Sequence, residues 1–207
     1  LTYKAFDLAD KYRTPVVILG DGMLGQMMEP VQLPPEISIK KLPHKDWTLT
    51  GAKGRPSRFL RSLILDPFEE EEHNWKLMRK YERIIREEIK WETSFAEDAK
   101  MLVVAFGIAA RIAKGAIKRV REEGLKVGLI RPISLWPFPY KAIKDFSKKV
   151  KHFFVFEMNM GQMIEDVKLA LEGNAEVHFY GRPGGVILTP LEISRIISSY
   201  YYQKRLG

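Results

Sequence analysis

The alternation of strand-like and helix-like segments after residue 100 constrains this chain more than any other feature. Met101-Leu102-Val103-Val104-Ala105-Phe106 is apolar throughout and ends at Gly107, the pattern of a strand buried on both faces. Residues 109–123 then turn apolar side chains to one side at helical spacing, through Ile112, Ala113, Ala116, Ile117 and Val120, and Gly124 stands where a helix stops. Val127-Gly128-Leu129-Ile130 is a second strand. Trp136-Pro137-Phe138-Pro139 braces a loop before a helix over residues 140–150. Phe153-Phe154-Val155-Phe156 is a third strand, residues 163–171 a helix, and Val177-His178-Phe179-Tyr180 a fourth strand. After the turn Gly181-Arg182-Pro183-Gly184-Gly185, Thr189-Pro190 opens a last helix running to about Tyr202. This rhythm predicts an α/β fold: a mostly parallel sheet with helices on both faces.

The front of the chain does not repeat that rhythm. Ala5, Leu8, Ala9 and Tyr12 recur at helical spacing, and Val16-Val17-Ile18-Leu19 reads as a short buried strand closed by Gly20-Asp21-Gly22. One helix and one strand make no sheet, so residues 1–33 are expected to be the tail of a domain, or an edge strand of the downstream sheet. Pro30, Pro34, Pro35 and Pro43 break up the next stretch, where Ile37 and Ile39 suit a short edge strand. Asp66 and Pro67 suit the N-cap and first position of a helix, and Glu69 to Glu72 complement its dipole. The pattern Trp75, Met78, Tyr81, Ile85, Ile89 carries that helix to Glu92, about 39 Å at the standard rise.

Composition narrows the chemistry. The 207 residues contain no cysteine, so no thiolate in them holds zinc or an iron–sulfur cluster. The net charge is +8, but basic residues alternate with acidic ones, as in Lys118-Arg119-Val120-Arg121-Glu122-Glu123, so no nucleic-acid partner is expected. No apolar run reaches the roughly 20 residues of a membrane helix. No signal peptide opens the sequence, and a cytoplasmic location is the expectation. Four Gln and three Asn among many Lys, Glu and Arg lean toward a thermophile. His44, His73, His152 and His178 show no metal-ligand spacing, and no metal is expected on this chain.

Three turns stand at strand ends, where open α/β sheets bind ligands. Gly107-Ile108-Ala109-Ala110-Arg111 reads as a tight turn facing a neighbour, since it lacks the full dinucleotide fingerprint. Glu157-Met158-Asn159-Met160-Gly161-Gln162 sets a carboxylate and two amides at one edge. Its Glu suits acid–base work, a helix cap or a subunit contact. The Gly181–Gly185 turn suits a phosphate cradle with Arg182, but more simply a plain turn.

Taken in order, these segments resemble the alpha subunit of the thiamine-diphosphate-dependent 2-oxoacid:ferredoxin oxidoreductases, in their 2-oxoglutarate and general 2-oxoacid group. The resemblance rests on Thr14 to Asp21 with Gly25-Gln26, Thr50-Gly51, the long charged helix, Val104 to Gly107 with Ala109-Ala110-Arg111, Gly128 to Pro139, and Glu157 to Gln162. It implies that residues 1–33 end a pyrimidine-binding domain, that 34–97 are a linker and long helix, and that 98–207 form a transketolase C-terminal-like domain. The family's catalytic Glu and its Tyr-Pro-Ile-Thr-Pro motif do not occur here, so the resemblance implies a C-terminal part, inactive alone, with no catalytic residue of its own.

The loop Gly20, Asp21, Gly22 then lies beside the cofactor, and Gly107, Arg111, Glu157, Asn159 and Gln162 are interface candidates. The implied reaction converts a 2-oxoacid to an acyl-CoA and passes electrons to ferredoxin. Thiamine diphosphate and magnesium belong to the intact complex, coenzyme A is cosubstrate, and iron–sulfur clusters sit in partner subunits. Those partners are a beta subunit with the diphosphate site and gamma and ferredoxin-like delta subunits. The expected substrate is 2-oxoglutarate, with Arg55, Arg58 and Arg61 as a cationic cluster for its second carboxylate, although a plain surface role suits them too. The alternatives are an E1-beta-like component of another thiamine-diphosphate enzyme and a non-catalytic interaction domain.

Overall fold

The computed structural model describes residues 1–32 and 45–207. The edge strand expected at Ile37 and Ile39, three of the prolines around it and His44 lie outside the described residues. The chain divides into two compact units, Leu1–Leu19 with Met27–Ile84, and Gly20–Gln26 with Ile85–Gly207.

The first unit holds helix α1 (Thr2–Tyr12) and most of helix α3 (Pro67–Glu88). Arg13 ends α1 in the left-handed region, at φ 45°. Tyr12 is buried and lies under the Arg83 guanidinium, 5.5 Å from its ring centroid. Lys80 donates to Thr14 Oγ1 at 2.6 Å. Its ammonium is held below the usual lysine range, first by burial and then by the charges of Arg13 and Lys76. Asp66 caps α3 as expected: its Oδ1 accepts from the backbone N–H of Phe68 and Glu69 at 3.0 and 2.9 Å.

Two expectations fail in this region. Val16 to Leu19 is not a buried strand; it has no regular structure, with Val17 77% and Leu19 68% exposed. An apolar run becomes a buried strand only where a neighbouring strand pairs its backbone, and among the described residues none does. The long helix stops at Glu88 rather than Glu92, and its Trp75, Met78, Tyr81 and Ile85 stripe stands exposed while Ile84 is buried.

The second unit is built on one five-stranded sheet of order β1-β3-β2-β4-β5. β2 (Met101–Val104), β3 (Val127–Pro132), β4 (His152–Glu157) and β5 (Glu176–Gly181) are mutually parallel, as the alternation predicts. β1 (Trp91–Ser94) was not expected. It pairs antiparallel with β3, Glu92 opposite Arg131, in the stretch read as the end of the long helix. Trp91 and Thr93 favour a pleated surface over a helix, and the Glu92–Arg131 pair closes at 2.8 Å across the strands.

Helices α4 (Gly107–Glu122) and α7 (Pro190–Gln203) pack together on one face, and α5 (Tyr140–Ser147) and α6 (Met163–Leu171) on the other. The α5–α6 face is lined by Leu102, Val104, Ile130, Phe153 and Val155, which meet Ile143, Met163, Val167 and Leu171. The alternate strand residues turn the other way, so that Phe154 meets the Tyr200 ring of α7 edge-on at 5.7 Å. Gly128 is required by close approach. A Cβ there would lie 2.6 Å from the Phe95 carbonyl oxygen and 2.9 Å from the Ala96 Cα.

Candidate functional site

The sheet order decides where a site can form. From β2 the chain moves outward to β3, then crosses back to β4 on the other side of β2. The order therefore reverses between β2 and β4. In open α/β sheets the crevice for a ligand or partner lies outside the carboxyl ends of the strands at such a reversal. The two turns singled out in the sequence, after β2 and after β4, are the turns at that point.

After β2 the chain enters α4 directly at Gly107, two residues earlier than its apolar pattern suggests. Gly107 takes φ +56°, a left-handed conformation that side chains rarely adopt. Helix α2 (Gly22–Gln26) lies over this turn. Asp21 caps α2, its Oδ1 accepting from Leu24 N at 2.9 Å, while its Oδ2 faces Gly107, 3.7 Å from where a Cβ would stand. No side chain caps α4 at Phe106, and the Asp21 carboxylate stands beside that helix start. The predicted Gly20-Asp21-Gly22 loop and Gly107 are thus brought together. Arg111 follows one turn along α4, with its side chain exposed.

Glu157, at the end of β4, is 0% exposed. Its carboxylate is consumed by the chain that follows. Oε2 accepts from Asn159 Nδ2, Gln162 N and Met163 N at 3.0, 3.3 and 2.9 Å, and Oε1 from Ile164 N at 3.0 Å. Asn159 in turn accepts from Gly161 N at 2.7 Å. Of the readings open for this Glu, the structure selects the helix cap: a buried anion at the positive end of α6 with four N–H donors. What the turn offers outward is exposed Gln162 and Met160, the latter 79% exposed. Gly181, on the neighbouring strand, lets this turn close down, because a Cβ there would lie 2.3 Å from the Asn159 carbonyl oxygen. Sequence reading treated Gly181 as part of a turn and missed that contact; it depends on register across two strands.

Arg182 is not free to cradle a phosphate. Its Nε donates to Glu192 Oε1 at 2.9 Å, and Tyr180 donates to the same oxygen at 2.5 Å. Burial pushes the Glu192 carboxyl up, but Tyr180 and Arg182 outweigh it and hold the group below the usual carboxylate range. The arginine cluster also makes contacts within its own segment, although the buried Nε of Arg55 has no hydrogen-bond partner. Arg55 donates to the Pro56 carbonyl oxygen at 3.1 Å, Arg58 to that of Thr48, and Arg61 to Glu69 at 2.6 Å. Among the described residues no group of three or more His, Asp or Glu side chains is gathered as a metal site. The cysteine-free sequence supplies no thiolate for a cluster. No helix among them is long and apolar enough to cross a membrane.

Residues 99–193 match the family model described as pyruvate:ferredoxin oxidoreductase core domain II. The ketoisovalerate oxidoreductase subunit VorB of Methanothermobacter marburgensis is 41% identical over 95% of this chain and 55% of its own length. The 2-oxoglutarate synthase subunit KorA of the same organism is 30% identical over 93% of this chain and 58% of its own length. The chain thus spans somewhat more than half the length of the curated relatives it matches. A structure of 2-oxoglutarate:ferredoxin oxidoreductase from Magnetococcus marinus superposes with a TM-score of 0.70 at 22% identity, over 96% of this chain and 39% of that one, and so shares the fold.

Proposed function

We propose, because residues 99–193 match the core domain II model and nearly the whole chain is similar to 2-oxoacid:ferredoxin oxidoreductase subunits, that it serves as part of the alpha subunit of such an enzyme. The reaction is the oxidative decarboxylation of a 2-oxoacid to its acyl-CoA, with ferredoxin as electron acceptor. Thiamine diphosphate and magnesium would be held outside the described residues, with a beta subunit supplying the diphosphate site. Iron–sulfur clusters would lie in gamma or delta-type partners, because this sequence has no cysteine. Residues 1–33 fit the end of a pyrimidine-binding domain, 34–97 a connection, and 98–207 a domain that shapes the subunit contact. A cytoplasmic location suits a ferredoxin-linked enzyme.

In this reading the chain positions rather than reacts. Glu157 fixes the turn carrying Asn159 and Gln162, and Asp21 and Gly107 fix the neighbouring turn. Together with Arg111 these form the surface at the sheet reversal that a partner subunit would meet. Gly20 and Gly22 flank Asp21 on the same loop.

The observation that most directly bears on substrate is the higher identity to the ketoisovalerate enzyme's subunit than to the 2-oxoglutarate enzyme's. A branched 2-oxoacid is therefore favoured over the 2-oxoglutarate expected from sequence. The test is kcat/KM of the co-expressed complex on 2-oxoisovalerate and 2-oxoglutarate. A preference of about tenfold for the branched acid is expected, about 1.4 kcal/mol of transition-state discrimination. Equal or reversed selectivity overturns the assignment.

A further inference from the structure

The α7 side of the sheet carries a polar cluster that the proposed function does not use. His152 opens β4, Glu176 and His178 lie on β5, and Tyr200 and Lys204 stand at the end of α7. His152 Nδ1 lies 3.0 Å from the Tyr200 hydroxyl, and that hydroxyl lies 3.3 Å from Glu176 Oε2. The Lys204 ammonium meets the same carboxylate oxygen at 2.6 Å. His152 Nδ1 and His178 Nε2 stand 3.7 and 3.5 Å from it. The His178 ring packs on Tyr200 with centroids 4.4 Å apart. The ionisable groups facing His152 are thus Glu176 and His178 from β5 and Tyr200 and Lys204 from α7. The adjacent Lys151 ammonium is bound instead to the carbonyl oxygens of Ser147 and Asn174.

Tyr200 has a single hydroxyl proton to give. Neutral His152, with its proton on Nε2, accepts that proton at Nδ1, and Glu176 is left to Lys204. A protonated His152 donates instead, which turns the hydroxyl toward Glu176 and sets a second positive charge beside Lys204. Burial of the ring holds His152 below the usual imidazole range; Lys204 and His178 add to this and Glu176 opposes it. Burial, the charge of Glu176 and their hydrogen bond raise the Tyr200 phenol, so it remains a donor.

We propose that this cluster is a proton-sensitive latch on helix α7: a proton taken up by His152 competes with Lys204 for the single carboxylate of Glu176 and frees the last turns of the helix. The docked state then binds fewer protons than the freed one. The latch holds fully above the ordinary imidazole value of about 6.5 and loosens as pH falls through it. Its release uncovers Phe154, which the Tyr200 ring covers.

Hydrogen exchange of the full chain tests this at about pH 7.5 and about pH 5.5, corrected for intrinsic rates. A severalfold loss of protection over residues 197–204 at the lower pH is expected, with β2 and α6 unchanged. His152→Gln keeps an acceptor for Tyr200 but takes up no proton, and should abolish the pH response. Unchanged protection in the wild type, or the same loss in H152Q, overturns the latch. An NMR titration of the wild-type imidazoles gives a readout independent of any variant's folding. A His152 midpoint at or above the ordinary value also overturns it.

Discussion

Replacing Glu157 by Gln separates a cap from a catalytic carboxylate. The side chain is wholly buried, and both oxygens accept N–H donors. Glutamine keeps one oxygen, best placed where three donors converge, and turns its amide NH2 toward the Ile164 N–H. One buried donor is then left facing another, at a cost of about 1–3 kcal/mol. The negative charge at the start of α6 is lost as well, about 1 kcal/mol more in a buried geometry. The expected destabilisation is about 2–4 kcal/mol. With a urea dependence of about 2 kcal/mol per molar, the unfolding midpoint falls by about 1–2 M. Glu157→Ala, which strands all four donors, should fall further. Circular dichroism during urea titration, at neutral pH and equal protein concentration, reads both variants. A midpoint for E157Q within experimental scatter of the wild type would refute the reasoning, because a solvent-accessible catalytic carboxylate tolerates that change and a buried cap does not.

Gly128→Ala forces a Cβ against backbone atoms of Phe95 and Ala96 and should cost at least about 2 kcal/mol, visible as a lower melting temperature or insoluble expression. Thr189→Ala removes the side-chain acceptor for Glu192 N and should cost about 1 kcal/mol in urea unfolding, leaving the β-sheet signal intact below the transition. The Glu176 carboxyl is lowered to about 2, first by its hydrogen bond from Lys204 and then by His178 and Tyr200, with burial opposing. Its contribution is therefore present above the ordinary carboxylate value and disappears as pH falls toward about 2. In Lys204→Met its NMR midpoint should move back up, and an unmoved midpoint counts against that assignment.

Local chemistry that repeats within a few residues was legible in the sequence. The limits of α6, the Asp66 cap with Pro67 behind it, and Thr189-Pro190 at the start of α7 each follow from neighbours in the chain, and each stands where expected. What depended on distant partners was not legible. Val16 to Leu19 has the composition of a buried strand and no strand to join among the described residues. Trp91 to Ser94 looks like the end of a helix until β3 is placed beside it. For the site, sequence located both turns at the sheet reversal, because glycine and polar residues at strand ends mark them. It could not choose between acid, cap and contact for Glu157, since that choice lies in four N–H groups whose directions only the folded turn defines.

The order of strands also has a meaning in time. β2 is the first parallel strand to be synthesised and lies between β3 and β4, so the parallel part of the sheet widens outward from its own oldest strand. Each later parallel strand is laid beside one already made. β1, made earliest of all, must, like β2, wait for β3 before its backbone is paired. During that interval on the ribosome it is an unpaired edge. Its brevity and the charge of Glu92 are the features that keep a waiting strand from pairing with another nascent chain.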